Sequence, residues 1–304
     1  MNLQDELERR ADLRAAPALA VGVSAAGTRT VATRGAGARF RIASLTKTVT
    51  SATVVLTMAE RGIPISTPAV ELLPMLASDW RADRSLTVEQ LLGQVSGLRE
   101  DVDAAAVAEL GDGTFAVEEA ARLVVRAGNA RPPGGRWSYY NGNYFLAGAV
   151  LAAVTGVSYE LAVLKNLLRP WELDGTGFLG FADYPRGRRP SGGLWSGVPD
   201  LLTLGERLIG DPPLLAETRR PRTAPDDPMA YGLGWALGPS GQLFVNGRLP
   251  GHRAAMLLVP DQGFVAVALA GDEYVLPGLA RLLSDLQQPL TGDDLGAAID
   301  GFAA

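Results

Sequence analysis

The stretch RFRIASLTKTVTSATVVLTMAERG, residues 39–62, combines a lysine with the pattern of a buried helix. The segment Leu45–Met58 is apolar or threonine almost throughout, which is typical of a helix that is buried on most sides. Gly62 is a suitable stop signal at its end. Lys47 is one of only two lysines among the 28 basic residues of the chain, and it follows Ser44 by three positions. A buried helix is therefore predicted to begin with a serine and a lysine.

Ser44 and Lys47 can act together chemically. Residues three apart on a helix lie on neighbouring faces, so Lys47 can place its amino group beside the Ser44 hydroxyl. Free backbone N–H groups and the positive end of the helix dipole, at the start of the helix, can support developing negative charge. Lysine can take the serine proton when burial lowers its pKa, whereas arginine effectively never loses its own proton. The pair predicts a serine nucleophile with a lysine base; the alternative is a helix cap and a lysine that extends to solvent.

Composition excludes several classes of function. The 304 residues, 47% of them hydrophobic, can build a sizeable core in one domain or two closely packed ones. The net charge of -5 argues against a nucleic-acid or membrane-surface partner. Without cysteine and with the single histidine His252, we expect no metal site and no cofactor. The charged start, MNLQDELERRADLRAAP, is unlike a secretory signal, and no stretch approaches about 18 apolar residues, so a cytoplasmic protein is expected.

Strand patterns stand at both ends of the chain and helical patterns between them. The strand candidates are PALAVGVSAAG, TRTVAT, YGLGWAL, QLFVN, RAAMLLV and GFVAVALA. We therefore expect an α/β fold in which residues 1–43 and 230–304 build one antiparallel sheet and residues 44–229 form a mostly helical inserted region. The site is expected at the junction of the two parts. Residues 182–200 and 211–230 are rich in proline, glycine and arginine and are predicted to be surface loops.

Two further stretches can complete a site. PPGGRWSYYNGNYFLAGAV places Tyr139 and Asn141 between a Pro/Gly turn and a helix, where a loop can present a phenol and an amide to a cleft. A tyrosine near a cation loses its proton more easily and can act as general base or acid, although these tyrosines could equally be packing residues. The strand QLFVN runs into Gly247, where the backbone can approach a ligand closely.

The order of motifs along nearly the whole chain resembles the β-lactamase-related serine hydrolases. This group contains class C β-lactamases, D-Ala-D-Ala carboxypeptidases, family VIII carboxylesterases and D-amino-acid aminopeptidases. The motifs are FRIASLTKT, LTVEQLLGQVSGL, PGGRWSYYNGNYFLAGAVLAAVTG, SGGLWSGVPDLL, YGLGW and NGRLPGHRA. The resemblance implies a β-lactamase/transpeptidase-like fold, an antiparallel sheet flanked by helices with an all-helical inserted region. It also implies that Ser44 is acylated, that Lys47 and Tyr139 move its proton, and that Asn141 bonds the substrate carbonyl or the lysine.

The third motif of the family departs from the usual pattern. Where the family has Lys-Thr-Gly or His-x-Gly on the strand that lines the cleft, this chain has Val-Asn-Gly at 245–247. Valine supplies no charge, which argues against a substrate that this residue recognises through a carboxylate, notably β-lactams and D-Ala-D-Ala peptides. Arg248 could replace the missing charge, and its N–H would join that of Ser44 as an oxyanion hole. We expect Asn246, Gly247 and Arg248 to contact the substrate.

A rival alignment of the third motif uses His252-Arg253-Ala254, which keeps the histidine and loses the glycine. Among the other patterns, residues 175–180 fit G-x-G-x-x-G but do not follow a buried strand, so chance explains them better. No serine stands in a G-x-S-x-G elbow, and one histidine gives little support for a Ser-His-Asp site.

The combined pattern predicts a serine hydrolase or acyltransferase that forms an acyl-Ser44 intermediate from a small-molecule ester or amide. The expected location favours an esterase, amidase or transacylase role in small-molecule metabolism over antibiotic resistance. Two alternatives stay open: a β-lactamase or D,D-peptidase, and a catalytically silent ligand-binding relative, which Val245 suggests. The sequence assigns neither the acyl donor and acceptor nor an oligomeric state.

Overall fold

Strands from both ends of the chain pair in one antiparallel sheet. The computed structural model describes residues 2–180 and 184–303, so part of the loop predicted at 182–200 lies outside the described residues. In the described part the strand order is β2-β1-β8-β7-β6-β5, and β3 pairs with β4 in a separate two-stranded sheet. The strands are β1 Leu19–Ala25, β2 Thr28–Arg34, β3 Phe40–Arg41, β4 Trp195–Ser196, β5 Ala236–Leu237, β6 Leu243–Leu249, β7 His252–Val259 and β8 Phe264–Ala270.

Helices occupy most of the chain between the strands and also close both ends. They are α1 Leu3–Arg9, α2 Thr46–Glu60, α3 Ala69–Leu72, α4 Val88–Leu92, α5 Ala104–Ala108, α6 Ala116–Ala127, α7 Asn141–Thr155, α8 Tyr159–Val163, α9 Arg189–Gly192, α10 Val198–Ile209, α11 Pro212–Arg219, α12 Leu276–Thr291 and α13 Gly296–Gly301. The predicted fold class, an antiparallel sheet with helices and a helical inserted region, is confirmed.

Helix α10 lies on the sheet although it falls within residues 44–229. Gly22 of β1 makes room for it, since a Cβ there would stand 2.2 Å from Val198 Cγ1. Gly205 of α10 is equally close to β8, where a Cβ would stand 2.6 Å from Val265 Cγ1. These two contacts join α10 to the strands, and the division of the chain at residues 43 and 230 stays a prediction.

The two stretches that were expected to be irregular contain regular structure. Residues 182–200 include α9, β4 and the start of α10, and residues 211–230 begin with α11. The loop prediction was wrong there because the prolines stand in the first turns of these helices, where a missing N–H costs no helical hydrogen bond. Asp211 caps α11, since its side chain accepts from Leu214 N at 3.0 Å.

Helix α2 is buried as its sequence predicts, and its many hydroxyls are satisfied inside the core. Thr50 Oγ1 lies 2.8 Å from the Tyr159 hydroxyl, and Ser51 Oγ lies 2.9 Å from the Tyr144 hydroxyl. Thr53 Oγ1 donates to the carbonyl of Val49 in the preceding turn at 2.7 Å. Because each buried hydroxyl has a partner, a threonine-rich helix can cross the interior without a desolvation penalty.

Helix length and composition bear on membrane crossing. Among residues 2–180 and 184–303, no single helix is long and apolar enough to cross a membrane. The pair Asn141–Thr155 and Tyr159–Leu168 reaches that length and composition only when counted together across a 73° bend. Most side chains of α7 are buried in the protein, which accounts for its apolar composition.

Candidate active site

The Ser44 hydroxyl is presented by a tight turn just before α2. Residues Ala43–Leu45 form a short 3₁₀ helix, and α2 itself begins at Thr46. Ala43 has a φ of 48°, a left-handed conformation that residues with a side chain seldom adopt. Such strain persists only where the surrounding structure imposes it, and it is found most often at functional sites. Ser44 is half-buried, so a substrate can reach it.

Lys47 lies beneath this turn with its amino group fully enclosed. Its side chain is 1% exposed, and Nζ lies 3.2 Å from Ser44 Oγ and 2.8 Å from the carbonyl oxygen of Ser191. The rings of Tyr139 and Tyr144 flank it, with centroids 4.9 and 5.5 Å from Nζ. Burial, with a smaller contribution from the Arg188 guanidinium, holds the pKa of Lys47 well below its usual value of 10.5.

The contacts of Lys47 suit a neutral amine. An uncharged amine has two N–H groups and one lone pair, so it can donate to the Ser191 carbonyl while its lone pair accepts the Ser44 hydroxyl proton. The ammonium ion has no lone pair and would have to be buried with its charge, which is costly. The geometry and the lowered pKa therefore agree that Lys47 can serve as the base for Ser44.

Tyr139 completes the contacts of the Ser44 hydroxyl. Its O–H donates to Ser44 Oγ at 2.8 Å. Burial raises the pKa of Tyr139 above its usual value, and the hydrogen bond to Ser44 offsets this only in part. The sequence-based expectation that a nearby cation would make this phenol a readier acid is wrong for this state of the site, because burial outweighs the charges around it. Tyr139 is a neutral hydrogen-bond donor here, and Lys47 is placed to accept the serine proton.

The loop that carries Tyr139 is ordered by Gln94, a residue for which no role is predicted from its sequence context. The Gln94 carbonyl accepts from Ser138 N at 3.0 Å, and its side-chain oxygen accepts from Tyr140 N at 3.0 Å and from the Asn143 amide. Gln94 is 1% exposed and has a φ of 60°. A buried glutamine in a strained turn thus fixes the backbone on both sides of Tyr139. The available signal was the motif LLGQVSGL, whose glutamine precedes a turn.

Asn141 is the first residue of α7 and borders a cavity of about 200 Å³. Tyr139 and Arg188 also line this cavity, together with Glu100 and Asp103. In residues 2–180 and 184–303, the hydrogen-bond partners of Lys47 Nζ are Ser44 Oγ and the Ser191 carbonyl, not Asn141. Of the two roles expected for Asn141, contact with a substrate in this cavity is therefore the one that the geometry supports.

Gly247 brings strand β6 against the Ser44 turn. A Cβ on Gly247 would stand 2.4 Å from the Ile42 carbonyl oxygen and 3.2 Å from Ser44 N. The alignment of the third motif on residues 245–247 is therefore the one that reaches Ser44. In the rival alignment, Ala254 would occupy the glycine position, but it lies one strand further away, paired with Gly247 across β6 and β7.

The side chain of Asn246 points away from the substrate cleft. It is 2% exposed, and Nδ2 donates to the carbonyl oxygen of Phe302 at 2.9 Å, with further contacts to the carbonyls of Ile299 and Asp300. The prediction that this side chain contacts the substrate is wrong, because alternate residues of a strand face opposite sides of a sheet. Gly247 lies against the Ser44 turn, so its neighbour Asn246 faces the segment after α12.

Arg248 shares the orientation of Asn246. Its Nη1 donates to the Phe302 carbonyl at 2.8 Å, and its Nη2 donates to the Asp300 carbonyl, with the Asp300 carboxylate 3.9 Å away. The guanidinium thus holds residues 300–302, and its predicted contact with a substrate is replaced by contacts within the chain. The role of its backbone N–H as an oxyanion donor stays a prediction.

The single histidine lies outside the contacts of Ser44. His252 begins β7, pairs with Leu249 and packs edge-to-face against Trp195 with ring centroids 5.4 Å apart. The hydrogen-bond partners of Ser44 Oγ are Lys47 and Tyr139. The site is therefore built on a serine, a lysine and a tyrosine.

The lowered pKa of Lys47 predicts the pH dependence of the reaction. The ascending limb of kcat/KM against pH reports the base of the free enzyme, so it should lie well below 10.5. Arg188→Gln removes a positive charge that disfavours the ammonium form, so the pKa of Lys47 should rise and the limb should move to higher pH. Tyr139 and Tyr144, which flank Lys47, both have raised pKa values and stay neutral across this range.

A matched control for this shift is Arg61→Gln. Arg61 is exposed and follows the last residue of α2, about 20 Å along the helix from Lys47 at 1.5 Å per residue. Loss of its charge should leave the limb unchanged. An equal shift in the two variants would show that the limb responds to net charge and not to the surroundings of Lys47.

Comparison with known proteins gives the family and the fold relatives of nearly the whole chain. Residues 3–283 match the protein family described as Beta-lactamase. The fold is similar to a D-stereospecific amidohydrolase from Streptomyces sp., with 21% identity, a TM-score of 0.73, and coverage of 96% of this chain and 99% of that one. It is also similar to a D-amino acid amidase from Ochrobactrum anthropi SV3, with 18% identity, a TM-score of 0.72, and coverage of 94% and 97%.

A third solved structure with the same fold is EstCE1, described as a hydrolase with promiscuous acyltransferase activity. It is 17% identical, with a TM-score of 0.72 and coverage of 89% of this chain and 92% of that one. At these identities the likeness concerns the fold, whereas the family match spans nearly the whole chain and includes the serine, lysine and tyrosine described above. This chain belongs to the beta-lactamase family.

Proposed function

We propose that this protein is a serine hydrolase or acyltransferase that forms an acyl-Ser44 intermediate from a small ester or amide. The observation that carries the proposal is the pair of contacts at Ser44 Oγ, with Lys47 Nζ at 3.2 Å and the Tyr139 hydroxyl at 2.8 Å. One contact supplies a base whose pKa is lowered by burial, and the other supplies a proton donor. A serine with both can attack a carbonyl carbon at neutral pH.

In the acylation step, Ser44 Oγ bonds to the carbonyl carbon while its proton passes to the lone pair of Lys47. The carbonyl electrons move onto the oxygen, for which the backbone N–H groups of Ser44 and Arg248 are the proposed donors. Collapse of this intermediate breaks the bond to the alcohol or amine, which takes a proton from Tyr139. The Lys47 ammonium then gives a proton to the Tyr139 phenolate, which lies against the same Ser44 oxygen, so charge and protons balance.

Removal of the acyl group runs the same steps in reverse with a new nucleophile. Water gives a carboxylic acid, and an alcohol or amine gives a new ester or amide. Tyr139 passes its proton to Lys47 and takes the proton of the incoming nucleophile, and the Lys47 ammonium then gives a proton to Ser44 as the acyl bond breaks. The same site therefore supports hydrolysis and acyl transfer, and the acceptor present decides between them.

The third motif favours substrates without a carboxylate over β-lactams and D-Ala-D-Ala peptides. Val245 carries no charge, and the side chains of Asn246 and Arg248 donate to main-chain carbonyls of the protein. None of these three side chains is placed to recognise a substrate carboxylate. We therefore propose esters and amides, including amino acid amides such as that named for the Ochrobactrum anthropi amidase, as the substrates to test first.

The experiment that tests the proposal is the mass added to Ser44. Separate samples of the protein are incubated with a fluorophosphonate and with each member of a panel of simple esters, D- and L-amino acid amides and a chromogenic cephalosporin. We expect the fluorophosphonate and at least one ester or amide to add their mass to the peptide that contains Ser44. The cephalosporin should turn over far more slowly, because the strand offers it no carboxylate site.

Two variants define the result. Ser44→Ala should lose the added mass. Ser51→Ala should keep it, since Ser51 is buried in α2 with its hydroxyl bonded to Tyr144. Absence of labelling in the unaltered protein would favour a silent ligand-binding relative. Rapid turnover of the cephalosporin would favour a β-lactamase or D,D-peptidase.

A further inference from the structure

The segment after α12 reaches the active site. Helix α13 packs against α12 and β6 and leads to Phe302, which is fully buried. The Phe302 ring meets Tyr139 edge-on with centroids 5.5 Å apart, stacks parallel to Tyr231 at 6.0 Å, and meets Phe244 edge-on at 6.3 Å. A residue remote in sequence from the serine and tyrosine motifs thus contacts the tyrosine that bonds Ser44.

The segment is held in place by the third motif. Asn246 Nδ2 and Arg248 Nη1 both donate to the Phe302 carbonyl, at 2.9 and 2.8 Å. The Asn246 amide also reaches the Ile299 and Asp300 carbonyls. Buried donors that are all satisfied by one stretch of main chain define its position closely, because moving it would leave several of them unpaired. The place of the Phe302 ring is therefore fixed from strand β6.

We propose that Phe302 is a positioning residue for the reaction. The inference rests on the function proposed above. Tyr139 stands on a loop just before α7, so its ring depends on neighbours for its orientation. Lys47 Nζ lies over its ring face, and the Phe302 ring packs against it edge-on. Together these contacts keep the phenol directed at Ser44 Oγ.

Position matters here because the proton donor must stay within hydrogen-bonding distance of the reacting oxygen. A displacement of about 1 Å in such a group can reduce a rate about 100-fold. With Phe302 removed, the Tyr139 ring gains room to turn away from Ser44 while the base and the nucleophile keep their places. The effect should fall on the chemical step and leave binding largely intact.

The test follows the phosphonylation of Ser44 by a fluorophosphonate, resolved into the inactivation rate constant and the binding constant. Phe302→Ala should lower the rate constant about 10- to 100-fold and change the binding constant less than about twofold. Leu295→Ala is the control: it removes a buried side chain of the same segment, one with no ring contact to Tyr139. The rate constant of Leu295→Ala should stay within about twofold of that of the unaltered protein, even if its Tm falls as far as that of Phe302→Ala.

Phe302→Leu distinguishes a slower reaction at Ser44 from a loss of folded protein. Leucine keeps an apolar anchor but has no ring to contact Tyr139. The variant should therefore keep most of its thermal stability, while its Ser44 reacts more slowly with the fluorophosphonate. A wild-type rate constant in Phe302→Leu would overturn the proposal, as would rate losses in Phe302→Ala and Leu295→Ala that simply track their Tm values. If the unaltered protein is not labelled at all, the proposed function fails instead.

A double-mutant cycle tests the anchoring step. If Asn246 acts through Phe302, then Asn246→Ala should lower the rate constant, and combining it with Phe302→Ala should add little further loss. If Asn246 instead contacts the substrate, its loss should weaken binding and the two effects should multiply. That second outcome would show that the segment is not held as proposed.

Discussion

Replacement of Lys47 by arginine is expected to reduce acylation of Ser44 about 10²- to 10⁴-fold, as fully as replacement by alanine. A positive charge at this position is not what the reaction needs. The guanidinium keeps its proton at every working pH, so it has no lone pair to accept the proton of Ser44. The measurement is the rate of labelling by a fluorophosphonate, compared with turnover of the best ester or amide found.

Lys47→Met separates the loss of the base from a loss of folding. A buried lysine with a lowered pKa binds a proton in the unfolded chain that it does not bind in the folded one. Between the lowered value and 10.5, stability therefore rises with pH, and near neutral pH the lysine destabilises the fold. Methionine removes this cost with similar volume, so the variant should be about 1 kcal/mol more stable at pH 7 and equally inactive. The difference should shrink as pH approaches 10.5.

Retained turnover in Lys47→Arg would contradict the assignment of Lys47 as the base for Ser44. Activity with arginine at position 47 would mean that the lysine acts through its positive charge and that another group, such as Tyr139, removes the serine proton. A methionine variant that is less stable than the unaltered protein at neutral pH would argue that Lys47 is charged in the folded state. Thermal unfolding at several pH values distinguishes these cases.

The parts of the site that the sequence could predict are those that depend on short spacing. Ser44 and Lys47 stand three residues apart where a 3₁₀ turn runs into α2, and a helical spacing of three already predicts that their side chains lie together. The apolar and threonine pattern of α2 predicts burial, and burial predicts the lowered lysine pKa. Tyr139 and Asn141 were found by their place between a turn and a helix, together with the family pattern.

The contacts that sequence reasoning missed are those made between distant segments. The Ser191 carbonyl that accepts from Lys47 is a main-chain group, and any residue type could supply it. Gln94 acts through its own backbone and side chain on a loop more than forty positions away. Phe302 reads as one more apolar residue until the sheet brings it to Tyr139. No local pattern distinguishes such residues from ordinary packing.

The third motif shows where a correct alignment still leads to a wrong role. The alignment placed Gly247 at the site, and the structure has it against the Ser44 turn. The same alignment assigned Asn246 and Arg248 to the substrate, but strand geometry alternates side chains between the two faces of the sheet. The positive charge of Arg248 was expected to face the cleft, whereas its guanidinium bonds to main-chain carbonyls of residues 300–302. Which face a side chain takes depends on the segment that covers the strand.

Gly247→Ala is expected to lower Ser44 acylation at least about 100-fold, since a shift of about 1 Å at the reacting group has that effect. The new methyl would stand 2.4 Å from the Ile42 carbonyl oxygen and 3.0 Å from Ala43 Cβ. Both neighbours belong to the strained turn that presents Ser44, and a main-chain oxygen cannot move aside without moving the turn. Overpacking of this kind also costs about 1–3 kcal/mol of stability.

Gly22→Ala is the matched control, because it places a methyl on the same sheet at a position remote from the turn. Its Cβ would meet Val198 Cγ1 at 2.2 Å, a side-chain contact against α10, so it should cost stability while leaving Ser44 where it is. If the two variants unfold at similar temperatures and only Gly247→Ala loses acylation, the loss comes from displacement of the nucleophile. Equal acylation in the two would mean that the turn tolerates the methyl, and that the close approach of β6 to Ser44 is not needed for the reaction.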